Sequence, residues 1–287
     1  MACARRDISQ ATRRGFIARL SVTMSADLDA FLSTAVIAAR AAGALLREHF
    51  GRVPEVNEFA AHDIKLELDV RAQTLITDTI LQRHPDHALL GEEGVAGDAA
   101  SAWEWIVDPL DGTVNYFYAI PHFCVSIALR EKLDGGSDQT RTLVGVIYDP
   151  MRDELWATAA GAAQTTLNGA PVRVSERTRM GDAIVSVGLA KVSETITANL
   201  PVLQEMTHSV RKCRMMGSAA LDLAYVATGR LDAYIEAGIS VWDVAAGILL
   251  VENAGGRISM QPRADKAGKF SIVASSGKIA ELAERAW

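Results

Sequence analysis

Between Trp103 and Tyr116 the chain places two carboxylates, Asp108 and Asp111, on either side of Pro109 and Leu110, after the apolar run Trp105-Ile106-Val107 and before Gly112-Thr113. The apolar run reads as a short buried strand. Pro109 has no N–H to give to a ladder, so the strand is expected to end near Asp108 and turn. Two carboxylates this close repel unless one keeps a proton or a divalent cation neutralises both, which points to Mg²⁺ or a similar hard ion. A Gly-Thr step leading towards a helix offers backbone N–H groups to an anion, so metal and phosphate would share one turn. Taken alone, the run also reads as a surface turn, because Asp-Pro and Asp-Gly are ordinary turn formers.

Two other segments carry similar chemistry. Leu89-Leu90 leads into Gly91-Glu92-Glu93-Gly94, a second apolar run ending in paired acids, which by itself is a solvated turn. Far downstream, Ser240-Val241-Trp242-Asp243 precedes the apolar stretch from Val244 to Val251 and the closing residues Glu252 to Gly256. A helix is expected from about Asp243 to Asn253, with Gly255 or Gly256 as its C-terminal cap. An acid at its start serves either as a cap or as a metal ligand.

Together, Gly91-Glu92-Glu93, Asp108-Pro109-Leu110-Asp111-Gly112-Thr113 and Trp242-Asp243-Val244-Ala245-Ala246-Gly247, in this order and spacing, resemble the inositol monophosphatase family of Mg²⁺-dependent, lithium-sensitive phosphatases. The resemblance covers roughly residues 27 to 285. It implies that Glu92 and Asp108 hold a first Mg²⁺ with the Leu110 carbonyl, that Asp108, Asp111 and Asp243 hold a second, and that a weaker third shares Glu92. It also implies that the Gly112 and Thr113 amides bind phosphate oxygens, and that the Thr113 hydroxyl, paired with Asp69, orients the attacking water; Glu92 counts with these two as catalytic. Read without the family, Asp69 is equally a helix cap before Arg71 to Leu81. The segment Met216 to Gly229 fits the family's substrate-side helix, with Gly217 and Ala219 facing substrate. Glu236, at the end of the expected strand Asp232 to Glu236, matches an acid that accepts hydrogen bonds from substrate hydroxyls, and is otherwise a solvated strand-end residue.

Such a site hydrolyses a phosphate monoester mainly by electrostatics, with cations on the phosphoryl and leaving oxygens and a positioned water. No protein nucleophile is needed, and the sequence has no G-x-S-x-G, no His/Cys metal spacing and no Walker-type loop. The expected activity is hydrolysis of a small polyol or sugar phosphate such as inositol 1-phosphate. Fructose 1,6-bisphosphate, histidinol phosphate and 3′-phosphoadenosine 5′-phosphate are alternatives. A non-catalytic regulatory binding protein on the same fold is the alternative of another class.

Composition agrees with an enzyme of this size. The 287 residues are 49% apolar and 22% charged, enough for a large core in one extended or two closely joined α/β units. A net charge of −6 argues against a nucleic-acid groove. Cys3, Cys124 and Cys213 cannot all pair and lack metal-ligand spacing, so free thiols in a reducing, cytoplasmic setting are expected, with Cys124 as strand core. Residues 1–24 carry Arg5, Arg6, Arg13, Arg14 and Arg19 against Asp7 alone, without a long apolar run. They are read as a disordered tail or an upstream start, although the arginine pair loosely matches a twin-arginine signal and the composition an organellar presequence.

The positioning elements follow an α-then-αβ order. Helices are expected over Asp27 to His49 and Arg71 to Arg83, separated by a mobile hairpin or loop over the site. Strands are expected near 86–91, 103–108, 122–131, 142–149 and 154–159, with a hairpin turn at Asp134 to Asp138. A metal-binding α+β lobe (25–180) and an α/β substrate lobe (181–287) are expected to meet near Arg173 to Asp182. The resemblance implies an α/β (α+β) architecture, the layered αβαβα sugar-phosphatase fold, commonly a homodimer, with no membrane or nucleic-acid partner. Departures bear on substrate: Lys65-Leu66 replaces the family's usual Val-Thr step, Ser240 replaces a frequent histidine, and residues 186–193 read Ser-Val-Gly-Leu-Ala-Lys-Val-Ser. Lys65 either meets a second phosphate, faces solvent or pairs with Glu67. These departures put inositol 1-phosphate in doubt as the preferred substrate.

Overall fold

Successive side chains of a strand leave on opposite faces, and from Trp105 to Val107 and from Val125 to Leu129 both faces are apolar, so the sheet they build must be covered on both sides. The computed structural model describes residues 8–60, 63–133, 139–189, 193–264 and 266–284. The first half runs α1 (Ile8–His49), β1 (Val56–Ala60), β2 (Asp63–Leu66), α2 (Glu67–Leu81), β3 (Ala88–Gly91), β4 (Gly94–Gly97), β5 (Trp103–Asp111), α3 (Thr113–Phe117), β6 (Cys124–Lys132), β7 (Thr140–Asp149), β8 (Glu154–Ala159), β9 (Thr166–Leu167) and β10 (Ala170–Pro171). The second half runs β11 (Ile184–Val187), α4 (Ser193–Ser209), β12 (Lys212–Arg214), α5 (Ala219–Ala227), β13 (Ala233–Ile239), α6 (Val241–Asn253), β14 (Arg257–Pro262), β15 (Phe270–Ser275) and α7 (Glu281–Glu284).

An eight-stranded sheet has the order β10-β9-β8-β7-β6-β5-β3-β4, and a five-stranded sheet the order β12-β11-β13-β15-β14. Three cores bind the five layers together. Ala35, Ala38, Ala39, Ala42 and Leu46 of α1 and Ile76 and Ile80 of α2 pack on Trp105, Val107, Val125 and Ile127. The opposite face of the large sheet, Ile106, Ala128, Ile147 and Trp156, packs on α5 and α6, whose far side meets Tyr234, Ile272 and Ala274 of the small sheet. Val185, Ile235 and Val273 then face Met206 of α4 and Leu282 of α7. The layers are αβαβα, as expected. Full burial of a Leu, Ile or Val side chain is worth about 1.5–3 kcal/mol, so these faces hold the layers in place.

Several boundaries differ from the sequence expectation. β5 does not stop at Asp108: Asp108 lies opposite Ser126 and Asp111 opposite Cys124, so Pro109 and Leu110 together face Val125 in a bulge. A bulge accommodates the missing proline donor without ending the strand. α2 starts at Glu67 rather than Arg71, because the Asp69 carboxylate accepts the Leu66 amide at 2.9 Å and closes the first turn. β13 continues past Glu236 to Ile239 through a register shift at Gly238, whose φ is +100°. α6 starts at Val241, two residues before Asp243. α1 begins at Ile8, inside the segment expected as a tail, and residues 1–7 lie outside the described residues. β1 (Val56–Ala60) pairs antiparallel with β2 (Asp63–Leu66) in the stretch expected as a hairpin or loop. The expected turn at Asp134 to Asp138 also lies outside the described residues, between the antiparallel strands β6 and β7. The 27–49 stretch of α1 is long and apolar enough to cross a membrane by composition, yet it contributes five fully buried residues to the first core.

Candidate active site

The ends of β3, β5 and β13 and the starts of α3, α5 and α6 converge on one cavity of about 320 Å³. Glu92, Asp108, Leu110, Asp111, Gly112, Thr113, Gly217, Ala219, Glu236 and Asp243 all line it. The remaining expected residue, Asp69, is buried but is not part of that lining. Among the described residues the lining holds six carboxyl groups, from Glu92, Asp108, Asp111, Asp222, Glu236 and Asp243, and no Lys, Arg or His.

Each acid is held by local geometry. Glu92 follows β3, its amide bonded to the Val107 carbonyl at 3.1 Å, and Gln73 of α2 brackets the turn by accepting the Glu93 amide and donating to the Gly94 carbonyl. A Cβ at Gly91 would fall 2.2 Å from the Gln73 side-chain oxygen, so any other residue there would displace the Gln73 amide from the turn. Within the β5 bulge Asp108 Oδ1 accepts the Leu110 amide at 3.0 Å, and the Leu110 carbonyl accepts the Thr113 hydroxyl at 3.0 Å. Asp111 Oδ2 accepts the Ser218 hydroxyl at 2.6 Å and the Ala220 amide at 2.7 Å, so the start of α5 grips it. Asp243 occupies the third position of α6, where its Oδ2 accepts the Ser240 amide at 2.8 Å. Capping and cavity lining therefore coexist in one residue. Asp69 stands in the same position of α2, and the Thr113 hydroxyl, expected to pair with it, donates instead to Leu110 because the bulge presents that carbonyl three residues away.

Burial works against the charge of this cluster. Asp111 is pushed up to about 6, chiefly by burial, with the Ser218 and Ala220 hydrogen bonds opposing and the charge of Glu92 adding to the rise. Glu236 is pushed up to about 7 by burial, eased by the 2.5 Å bond from the Tyr234 hydroxyl and raised further by Asp243 and Asp111. It is not a solvated strand-end residue: it is only 9% exposed, and a Cβ at Gly188 would overlap its carboxylate.

Sequence reasoning missed four contributors. Ser218 holds Asp111, and Tyr234 holds Glu236. Asp222 lines the cavity and accepts the Ser186 hydroxyl at 2.7 Å, and burial pushes it well above the carboxylate range. Cys124, read as plain strand core, lies beneath the site with its thiol 3.8 Å from Asp111 Oδ2. Cys124 and Cys213 are free thiols, and Cys3 lies outside the described residues. Lys65 is not part of the lining, and Glu67 bonds Asn57 at 3.1 Å. Ser240, at the histidine position, bonds the Lys269 ammonium.

Among the described residues no three His, Cys, Asp or Glu side chains form a ready-made metal cage. The donor chemistry nevertheless fits a hard cation: the donors are all oxygen, they surround one cavity, and their mutual repulsion is already felt at Asp111 and Glu236.

A layered αβαβα fold with an acid-lined cavity at the strand ends defines a protein of the sugar-phosphatase class. The sequence profile of the inositol monophosphatase family matches residues 27–286, and the chain belongs to that family. The inositol-1-monophosphatase of Synechocystis sp. is 39% identical over 270 residues, covering 91% of this chain and 90% of that protein. The Nus factor SuhB of Escherichia coli is 38% identical over 232 residues, covering 79% of this chain and 84% of that protein. Among solved structures, an inositol monophosphatase from Anabaena (Nostoc) sp. superposes with a TM-score of 0.76 at 35% identity, covering 90% of this chain and 96% of that one. The extragenic suppressor protein suhB of Bartonella henselae superposes with a TM-score of 0.80 at 32% identity, covering 89% and 98%. Family membership supports a phosphatase activity.

Proposed function

We propose that the protein is a Mg²⁺-dependent phosphomonoesterase acting on a small polyol or sugar phosphate such as inositol 1-phosphate. The observation that carries this reading is the cavity lined, among the described residues, by six carboxyl groups and no basic side chain, with residues at the starts of α3 and α5 at its edge. Glu92, Asp108, Asp111, Asp243 and the Leu110 carbonyl would hold the cations. When bound, Mg²⁺ supplies positive charge opposite the phosphoryl and leaving oxygens.

The chain supplies placement. The Gly112 and Thr113 amides, at the start of α3, orient the phosphate. The Thr113 hydroxyl positions the attacking water for in-line displacement together with Glu92, and Asp69 would join them only if the hydroxyl turned from Leu110 towards it. In the structure that hydroxyl already donates to Leu110, which leaves its oxygen lone pairs to accept from water. Gly217, Ala219 and Glu236 receive the alcohol portion of the substrate, and the Tyr234 bond fixes the Glu236 carboxylate that meets substrate hydroxyls. On this reading the enzyme is lithium-sensitive, homodimeric and cytoplasmic, and needs neither membrane nor nucleic acid. Light scattering on the purified protein tests the dimer.

A second reading follows from the relatives named Nus factor SuhB: a factor role beside or in place of turnover. The gathering of the proposed cation-binding acids with Thr113 around one cavity speaks for turnover, because a binding protein needs no hydroxyl placed beside them. Phosphate release from inositol, sugar, histidinol and nucleotide phosphates, with Mg²⁺ and with EDTA, separates the two. Mg²⁺-dependent turnover of one compound well above the rest supports the enzyme and names its substrate. No turnover on any of them overturns it in favour of the factor role.

A further inference from the structure

Asn115 is a residue of α3 that lines the cavity, and none of the roles above uses it. Its Nδ2 donates to the His122 carbonyl at 2.9 Å, to the Met216 carbonyl at 2.9 Å and to the Gly217 carbonyl at 3.3 Å. All three neighbours are carbonyl oxygens, which only accept, so the NH₂ group must face them and the side-chain orientation is determined. Two of the acceptors lie about a hundred residues away in sequence, in the turn that enters α5. The same turn is gripped by Asp111 through the Ser218 hydroxyl and the Ala220 amide. Two residues of one short segment, Asp111 and Asn115, thus hold positions 216, 217, 218 and 220.

The turn is built for that contact. Gly217 has φ +80°, and a Cβ there would stand 3.0 Å from Asn115 Nδ2, so the glycine provides both the backbone conformation and the close approach. Gly217 and Ala219 line the cavity on the side assigned to the alcohol portion of the substrate. We propose that Asn115 is a positioning residue that latches this substrate-facing turn to the cation-binding segment, so that substrate and cation sites keep a common register. The proposal rests on the phosphatase reading. It concerns substrate affinity rather than cation binding, because Asn115 holds the turn through backbone carbonyls and offers the cation site no carboxylate.

The test measures kcat and KM for inositol 1-phosphate at saturating Mg²⁺, or for the preferred compound of the phosphate panel, with Mg²⁺ affinity by calorimetry. The variants are N115A, N115D, G217A and N115A/G217A. N115D keeps the volume and removes the donors, and N115S replaces N115A should the latter fail to fold. KM is expected to rise about tenfold in N115A and more in N115D, with kcat changed by less than about threefold. Mg²⁺ affinity should stay near that of the wild type in N115A and G217A, and the double variant should be no worse than the worse single one. An unchanged KM, a loss confined to kcat, a loss of Mg²⁺ affinity or additive losses in the double variant would overturn the proposal. Failure of the phosphatase reading is distinct, because the wild type itself would then show no Mg²⁺-dependent turnover.

Discussion

β5 links two buried polar clusters that differ in how their charge is settled. Near its start, the Trp105 indole donates to His87 Nδ1 at 3.0 Å, His87 stacks on His84 with centroids 4.9 Å apart, and His84 Nε2 meets the Thr34 hydroxyl at 3.0 Å. Burial first, and then the neighbouring His84, lowers His87 to about 4, so the cluster is neutral and its hydrogen bonds are matched. At the far end of the strand, burial raises Asp111 to about 6, with Glu92 adding to the rise. The first cluster is complete as it stands, whereas the second carries excess negative charge that a cation would relieve. Burial of ionisable groups is common to both; only unmatched charge marks a binding site.

The sharpest break in this contrast is Asp111→Asn. It removes a proposed cation ligand without removing volume and should lower Mg²⁺-dependent hydrolysis by on the order of 10³-fold, while thermal melts in EDTA show no loss of stability. The matching change at the other cluster, His87→Phe, should leave kcat and KM nearly unchanged. It should cost about 1–3 kcal/mol of stability in denaturant melts, because the Trp105 N–H loses its acceptor.

The pH dependence of stability has opposite signs at the two ends. His87 has a folded pKa below the ordinary 6.5, so the unfolded chain binds more protons between about 4 and 6.5, and this contribution is lost as pH falls through that window. Asp111 and Glu236 have folded values raised to about 6 and about 7, so their contribution is present at low pH and is lost as pH rises through those values. The two windows overlap with opposite signs, so each is read as variant minus wild type in EDTA: Asp111→Asn should remove a loss of stability as pH rises from about 4 to 6, and His87→Phe a loss as pH falls from about 6.5 to 4. If either variant left the pH dependence of stability unchanged, the contrast between the clusters would be wrong.

The smallest effect concerns specificity. Glu236→Gln should alter the kcat/KM ratio between two polyol phosphates by about three- to tenfold while leaving Mg²⁺ affinity nearly constant. An equal loss on every substrate would make Glu236 a structural residue.

The acids proposed to bind cations were legible in the sequence because each ends an apolar run or starts a helix, places where a carboxylate must be capped, paired or met by a cation. The continuation of β5 past Pro109 was not, since a bulge is defined by the partner strand and only the pairing with Cys124 and Ser126 reveals it. The early start of α2 was hidden in Asp69, whose capping bond reaches back to a leucine rather than to a usual cap residue. Ser218, Asp222 and Asn115 were missed for a further reason. Asp222 lies in an apolar helical stretch from Ala219 to Ala227, and Ser218 and Asn115 act on residues about a hundred positions away, a separation no local pattern spans.

The most direct test of the unmatched-charge account is a Mg²⁺ titration of the metal-free wild type and Asp111→Asn by calorimetry at pH 7.5, repeated at pH 5. The account predicts saturable binding to the wild type, weaker at pH 5 where protons compete for Asp111, and a marked loss of affinity in Asp111→Asn. Equal binding by both proteins, or none by the wild type, would contradict it.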